Sequence, residues 1–165
     1  MIHTAYIGIG SNLGSPAENC LNAIESLSAR PELTLIASSS LYQSEPFGIT
    51  DQDWFVNSVV QLTTPLSPEE LLRVCLSTEQ AMGRTRTEKW GPRIIDLDIL
   101  FYDDFILKQE GLEIPHPGIF ERSFVLEPMN EIASDFVHPK LRKTIETLLA
   151  EIANPQQVNR VSSGS

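Results

Sequence analysis

The order in which strands and helices follow one another constrains the fold of this chain more than any other feature. Apolar and β-branched runs predict four strands, over Thr4–Gly10, Thr34–Tyr42, Phe55–Leu62 and Ile94–Tyr102. Apolar residues at helical spacing predict three helices, over Pro16–Ala29, Ser67–Met82 and Leu141–Ile152. The first six elements follow the split βαβ pattern. The expected fold class is therefore α+β, with a ferredoxin-like βαββαβ core, an antiparallel sheet, helices on one face and a C-terminal extension.

The length of the chain suits a single domain. It has 165 residues, within the usual range of about 100–200 for one domain. We expect residues 1–153 to form this domain and the polar residues 154–165 to form an unpacked, flexible tail. Because two helices cover only one face of the sheet, we expect the other face to be free to carry a site, partly walled by the loops and the C-terminal extension.

The charge balance limits the partners of the chain. There are 12 Lys and Arg residues against 22 Asp and Glu residues, which gives a formal net charge of -10. Such a surface repels polyanions, so we expect neither nucleic-acid binding nor docking on an anionic membrane. No apolar run approaches the ~20 residues of a membrane span. Cys20 and Cys75 are predicted to be buried free thiols, which fits a cytoplasmic protein. We also expect the protein to be a monomer.

The triplet Asp96-Leu97-Asp98 is the most informative motif. Side chains alternate along a strand, so Asp96 and Asp98 share one face while Leu97 and its apolar neighbours share the other. The Cα atoms of the two residues are about 6.6 Å apart along a strand, so their carboxylates repel each other. A hard divalent cation relieves that repulsion, and carboxylate oxygens together with substrate phosphates favour Mg²⁺. The alternative is a sheet face that is open to water, where the pair has no role.

A basic segment precedes this strand and contains Arg84, Arg86, Lys89 and Arg93. Glycine and proline residues predict a loop there. A basic loop beside paired carboxylates suits a polyphosphate, whose oxygens the cations would clamp. The alternative is a solvated loop that neutralises the acidic surface.

Other candidate residues each allow two interpretations. Glu79 lies on an apolar helical stripe, where it is either half-exposed at the helix end or turned into a polar cleft. Phe55 and Asn57 share a strand face that suits a flat heterocycle, or they are a core ring and an edge amide. His116, between two prolines, is a turn residue or a ligand contact. Arg122 and Phe124 follow in a short extended stretch.

Two glycines of the first strand indicate close approach. Gly8 and Gly10 begin a G-x-G-x-x-x-G run, whose spacing departs from the dinucleotide-binding pattern. We interpret both as positions where a ligand or a loop lies close to the backbone.

Several segments in the same order resemble the 6-hydroxymethyl-7,8-dihydropterin pyrophosphokinase family. The most specific is Gly83–Leu100, which contains the basic loop and the two aspartates. The others are Gly10–Gly14, Tyr42–Gly48, Gln52–Asn57, Pro115–Pro117 and Arg122–Pro128. The resemblance runs from Tyr6 to about Pro139 and implies a ferredoxin-like fold. It also implies transfer of the β,γ-pyrophosphoryl group of ATP to the hydroxymethyl oxygen of the pterin, with release of AMP.

The resemblance also implies roles for individual residues. Two Mg²⁺ ions would be held by Asp96 and Asp98, with Arg84 and Arg93 acting catalytically in the preceding loop. The implied ATP contacts are Glu79, Arg86, Trp90, Ile99, His116 and Arg122. The implied pterin contacts are Ser44, Phe47, Phe55, Asn57 and Phe124. Ser44, Phe47 and Lys89 stand where the family mostly has Thr, an aliphatic residue and Arg.

Two other classes of function remain open on the residues alone. A non-enzymatic domain would bind ligand without releasing AMP, since fold alone does not define function. A hydrolase or a γ-phosphoryl kinase that uses the same acidic pair would release phosphate or ADP.

Overall fold

A computed structural model describes residues 1–44, 55–83, 94–119, 122–152 and 158–161. The strands are β1 (His3–Ser11), β2 (Thr34–Ser38), β3 (Tyr42–Ser44), β4 (Phe55–Thr64), β5 (Asp96–Tyr102), β6 (Leu107–Gln109), β7 (Leu112–Ile114) and β8 (Val158–Arg160). The helices are α1 (Pro16–Ser28), α2 (Pro68–Ala81), α3 (Ser123–Ala133) and α4 (Ile145–Ala150). The predicted order of elements from β1 to β5 is confirmed, apart from one strand that divides.

The main sheet is antiparallel, and its strands run in the order β5-β1-β4-β3-β8, with β2 also paired to β4. The predicted strand Thr34–Tyr42 is wrong as a single element, because it divides into β2 and the start of β3. The break falls at Ser39. Its hydroxyl accepts a hydrogen bond from the Val59 amide at 2.9 Å, so a side chain replaces the backbone acceptor that a continuous strand would offer.

One face of the sheet carries α1 and α2, as predicted. Buried side chains of β1 and β5 pack there in a cluster that we call the first core, which includes Ile7, Ile9, Leu97 and Ile99. Both cysteines are buried free thiols, as expected. The helix α2 begins at a capping box between Ser67 and Glu70, which satisfies backbone N–H groups at the helix start.

The described residues cover only part of the opposite face, which agrees with the prediction that this face could carry a site. A second core of buried side chains from the sheet, α3 and α4 covers part of it; its members are Tyr6, Val59, Leu100, Phe101, Ile119, Leu126, Met129, Ile145 and Leu148. A shift in register between β1 and β5 explains how two consecutive residues, Leu100 and Phe101, both reach this core. The remainder of this face carries the aspartates.

The segment that contains Arg122 and Phe124 is helical, so the predicted extended stretch is wrong. Arg122 is the N-cap of α3, and Phe124 lies in its first turn. The Arg122 side chain makes no capping hydrogen bond, and Pro128 lies inside the helix. The usual sequence signals for a helix are therefore missing. Burial of Leu126 and Met129 against the sheet stabilises α3 instead.

The C-terminal region differs from the prediction at two places. The last helix begins at Ile145 rather than at Leu141, since Arg142 adopts a positive φ of 61° and Thr144 caps the helix. The predicted unpacked tail is wrong at Val158–Arg160, because this segment pairs with β3 as strand β8. Within the described ranges, no helix has both the length and the apolar character needed to cross a membrane.

Candidate active site

Asp96 and Asp98 project from the same face of β5, as the alternation predicts. Their neighbours Leu97 and Ile99 are buried in the first core on the other face, and both aspartates are half-buried. In the sheet register, Asp96 lies opposite Gly10 and Asp98 lies opposite Gly8 on β1. The two carboxylates therefore lie beside positions that have no side chain of their own.

The two glycines of β1 make room for neighbouring side chains. A Cβ atom at Gly10 would lie 2.9 Å from Oδ1 of Asn57, and one at Gly8 would lie 3.2 Å from Cδ2 of Leu100. The close approach predicted for these glycines is therefore made by side chains of the adjacent strands. The absence of a side chain at Gly10 lets the Asn57 amide extend over β1.

Asn57 is held in a fixed orientation by β3. Its Nδ2 donates a hydrogen bond to the Ser44 hydroxyl at 2.7 Å, and both residues are buried. Phe55 is half-buried and lies opposite Ser44 in the register of β3 and β4. Asp96, Gly10, Asn57 and Tyr42 form one row across four strands. The structure thus brings three predicted pterin contacts onto the face that carries the aspartates.

His116 is held against β5 by its backbone. Its amide donates a hydrogen bond to the Leu100 carbonyl at 3.0 Å, and its Nδ1 accepts one from the Gly118 amide at 3.3 Å. The ring proton therefore resides on Nε2. Burial, and to a smaller extent the cation of Arg122, lowers the pKa of His116 to about 4. At neutral pH, His116 can thus donate a hydrogen bond but carries no charge.

Arg122 connects the surroundings of His116 to Phe124. A Cβ atom at Gly118 would lie 2.8 Å from the Arg122 Nε, so the guanidinium side chain packs directly on this glycine. Its Cζ also lies 5.8 Å from the centroid of the Phe124 ring, within cation–π range. The sequence analysis missed Gly118. The signal that could have found it is its place directly after Pro115-His116-Pro117, where a residue without a side chain permits close packing.

Two predicted ATP contacts have buried side chains. Glu79 is only 3% exposed, so the half-exposed interpretation is wrong. Its carboxylate accepts a hydrogen bond from the Leu97 amide at 2.7 Å, which ties α2 to β5. The Ile99 side chain is buried in the first core, on the face opposite Asp98. Six further residues of the sequence analysis lie outside the described residues, namely Phe47, Arg84, Arg86, Lys89, Trp90 and Arg93.

The sequence of this chain is similar to known protein sequences over most of its length. The model of the 7,8-dihydro-6-hydroxymethylpterin-pyrophosphokinase (HPPK) family matches residues 6–134. A 2-amino-4-hydroxy-6-hydroxymethyldihydropteridine pyrophosphokinase of Methylorubrum extorquens is 45% identical over 157 residues, which cover 95% of this chain and 98% of that protein. The enzyme with the same name in Haemophilus influenzae is 41% identical over 155 residues, covering 94% of this chain and 96% of that protein.

A solved structure shares the fold. The crystal structure of wild-type Plasmodium falciparum HPPK-DHPS with pteroate matches with a TM-score of 0.74 and 18% identity, over 92% of this chain and 42% of that chain. At this identity, the likeness concerns the fold alone.

The mixed α/β fold and the family match define the class as a transferase of the kinase type. More narrowly, the chain belongs to the HPPK family. It transfers pyrophosphate from ATP to the hydroxymethyl group of 6-hydroxymethyl-7,8-dihydropterin in folate biosynthesis.

Proposed function

We propose that pyrophosphoryl transfer in this enzyme depends on Mg²⁺ ions, two per active site, held by Asp96 and Asp98. The observation that carries the proposal is the placement of both carboxylates on one face of β5, opposite Gly8 and Gly10. A non-enzymatic binding domain would have no need for this pair of like charges at close range.

The donor set suits Mg²⁺. Carboxylate oxygens are the ligands that this ion prefers, and it commonly takes one or two of them together with phosphate oxygens and water. Within the part of the chain that the structure describes, no group of three or more His, Cys, Asp or Glu side chains could hold a metal ion by itself. ATP and water would therefore complete the coordination. When bound, the ions neutralise phosphate charge and can lower the pKa of the attacking alcohol.

The surrounding residues would position ATP. His116 would donate a hydrogen bond through Nε2, and Arg122 would supply a permanent positive charge for a phosphate oxygen. The Ile99 side chain is buried, so only its backbone could contact ATP. Arg86 and Trp90 would complete the ATP site, and Arg84 and Arg93 would neutralise the transferred phosphates, as the family resemblance implies. The buried Glu79 carboxylate, which accepts a hydrogen bond from the Leu97 amide, would support this site through β5.

The pterin would lie on the same face of the sheet. The Asn57 amide and the Ser44 hydroxyl offer hydrogen bonds to a heterocycle edge, Phe55 and Phe124 offer ring faces, and Phe47 would lie near the pterin edge. In-line attack would then join the hydroxymethyl oxygen to the β-phosphorus and break the bond between that phosphorus and the AMP oxygen, while the hydroxyl proton leaves. Transfer of this kind depends mainly on positioning and charge neutralisation.

We also propose that residues 1–153, together with strand β8, form a single domain of the ferredoxin-like type, that it acts as a monomer, and that it works in the cytoplasm. The strand order β5-β1-β4 with β2 and β3 both on β4 supports the fold type. The buried free thiols support a reducing compartment.

The nature of the nucleotide product tests the point of attack. We expect incubation with ATP, Mg²⁺ and the reduced pterin to yield AMP and the pterin diphosphate, as attack on the β-phosphorus requires. Chromatography of the nucleotides measures this outcome. Formation of ADP would instead indicate attack on the γ-phosphorus, and release of free pyrophosphate would indicate attack on the α-phosphorus.

Gly10→Ala tests the pterin half of the site. The new methyl group would push the Asn57 amide away, and loss of its buried hydrogen bonding costs about 1–3 kcal/mol, or roughly a 5- to 150-fold rise in the pterin KM. We expect the ATP KM to change less than about twofold. Steady-state kinetics with each substrate varied in turn measures both values.

Gly8→Ala is the matched control, because the same methyl group on the same strand would meet Leu100 instead of Asn57. We expect it to affect stability and to leave the pterin KM nearly unchanged. Equal effects of both substitutions on the pterin KM would contradict the role proposed for Asn57.

A further inference from the structure

The carboxylate of Glu131, on α3, binds the sheet edge at several points. Its Oε1 and Oε2 accept hydrogen bonds from the Ser40 amide at 3.0 and 3.1 Å, and Oε2 also accepts one from the Ser40 hydroxyl at 3.1 Å. Oε1 accepts a further hydrogen bond from the Tyr42 hydroxyl at 2.7 Å. The Glu131 side chain thus joins α3 to Tyr42 on β3 and to Ser40, which lies two residues before that strand.

The C-terminal strand completes this cluster. The Arg160 guanidinium on β8 lies 3.5 Å from Oε1 of Glu131, donates a hydrogen bond to the Tyr42 hydroxyl at 3.2 Å and lies 5.6 Å from the centroid of the Tyr42 ring. These contacts hold the pKa of Glu131 below its usual value despite partial burial. The carboxylate is therefore charged at neutral pH and accepts all of its hydrogen bonds.

The two elements that Glu131 joins each carry residues of the proposed pterin site. On β3, Ser44 follows Tyr42 by two residues and holds Asn57. On α3, Phe124 lies two turns before Glu131, about 10 Å away along the helix axis. Pro128, between them, has no N–H to donate within the helix, which makes the contacts of α3 with the sheet more important for its placement.

We propose that Glu131 is a positioning residue for the pterin: by fixing α3 to β3, it sets the separation between Phe124 and the Ser44–Asn57 pair. The inference rests on the proposed function, in which these residues hold the pterin. Glu131 touches neither substrate in this scheme and acts through Phe124.

Glu131→Gln is the test, because glutamine keeps the shape but its NH₂ group cannot accept hydrogen bonds from Ser40 and Tyr42. We expect the pterin KM to rise about tenfold, in line with the loss of about one charge-assisted hydrogen bond, while the ATP KM changes less than about twofold. Glu151→Gln is the matched control. It breaks the exposed pair between Lys143 and Glu151 at 2.8 Å, and we expect it to leave both KM values unchanged.

A double substitution separates positioning from general destabilisation. If Glu131 acts through Phe124, Glu131→Gln adds little to the pterin KM in a Phe124→Ala background. Tyr42→Phe, which removes a single hydroxyl, should raise the pterin KM in the same direction by a smaller factor, and it carries the test if Glu131→Gln does not fold.

Three outcomes would overturn the proposal, and they separate failure of the Glu131 role from failure of the pterin site. If Phe124→Ala raises the pterin KM but Glu131→Gln does not, or if Glu131→Gln raises both KM values equally, Glu131 has no positioning role and the proposed pterin site stands. If Phe124→Ala itself leaves the pterin KM unchanged, the proposed pterin site fails, and the role of Glu131 fails with it.

Discussion

Asp98→Asn is expected to lower kcat by about a thousandfold or more. Asparagine keeps the size of the side chain and removes the charge that would hold a divalent cation. Metal ions contribute several kcal/mol of transition-state stabilisation in reactions of this type, and about 4 kcal/mol corresponds to a thousandfold in rate. Rates of AMP formation at saturating ATP, pterin and Mg²⁺ provide the measurement.

A matched control is available at the end of the same strand. Asp104 is exposed and lies two residues beyond β5, so Asp104→Asn removes the same charge beyond the far end of the strand without touching the proposed ligands. We expect its kcat to stay within about twofold, since exposed substitutions of this kind have small effects. Near-normal turnover in Asp98→Asn would contradict the proposed metal-binding role of the aspartate pair.

Leu126→Ala is expected to lower the free energy of unfolding by about 2–5 kcal/mol, the usual cost of truncating a fully buried leucine. Leu126 lies on α3 in the second core and is 0% exposed. Urea unfolding followed by circular dichroism measures the change. The control is Leu21→Ala on α1, where the leucine is 55% exposed, and we expect a change within about 0.5 kcal/mol.

The Leu126 experiment also bears on the architecture. If both variants were equally stable, α3 would not be packed on the sheet as described. The face that carries the aspartates would then lack the support that places Arg122 and Phe124.

The elements that could be predicted from the sequence are those whose periodicity matches their burial. Alternation along Asp96–Leu100 gave the shared face of the aspartates, and Ser67-Pro68-Glu69-Glu70 gave the start of α2, which the capping box confirms. The helix α3 could not be predicted in this way, because its stability comes from contacts with a distant sheet. The strand β8 has a polar sequence, and its conformation depends on pairing with β3.

The site was predictable to a similar degree. The shared face of Asp96 and Asp98 follows from strand alternation, but side-chain partners that are far apart in the chain do not. The bond between Glu79 and the Leu97 amide and the contacts of Glu131 with Ser40 both depend on how helices cross the sheet. No local pattern encodes such crossings, since the hydrogen-bond partners are chosen by tertiary packing.

The most direct test of the central claim is the number of divalent ions bound per protein. Mn²⁺ can serve as the probe in equilibrium dialysis with a non-hydrolysable ATP analogue, monitored by electron paramagnetic resonance. We expect two ions per unsubstituted protein and per Asp104→Asn protein, and fewer than two, more weakly bound, in Asp98→Asn. Two ions bound to Asp98→Asn with unchanged affinity would contradict the proposal that Asp96 and Asp98 hold these ions.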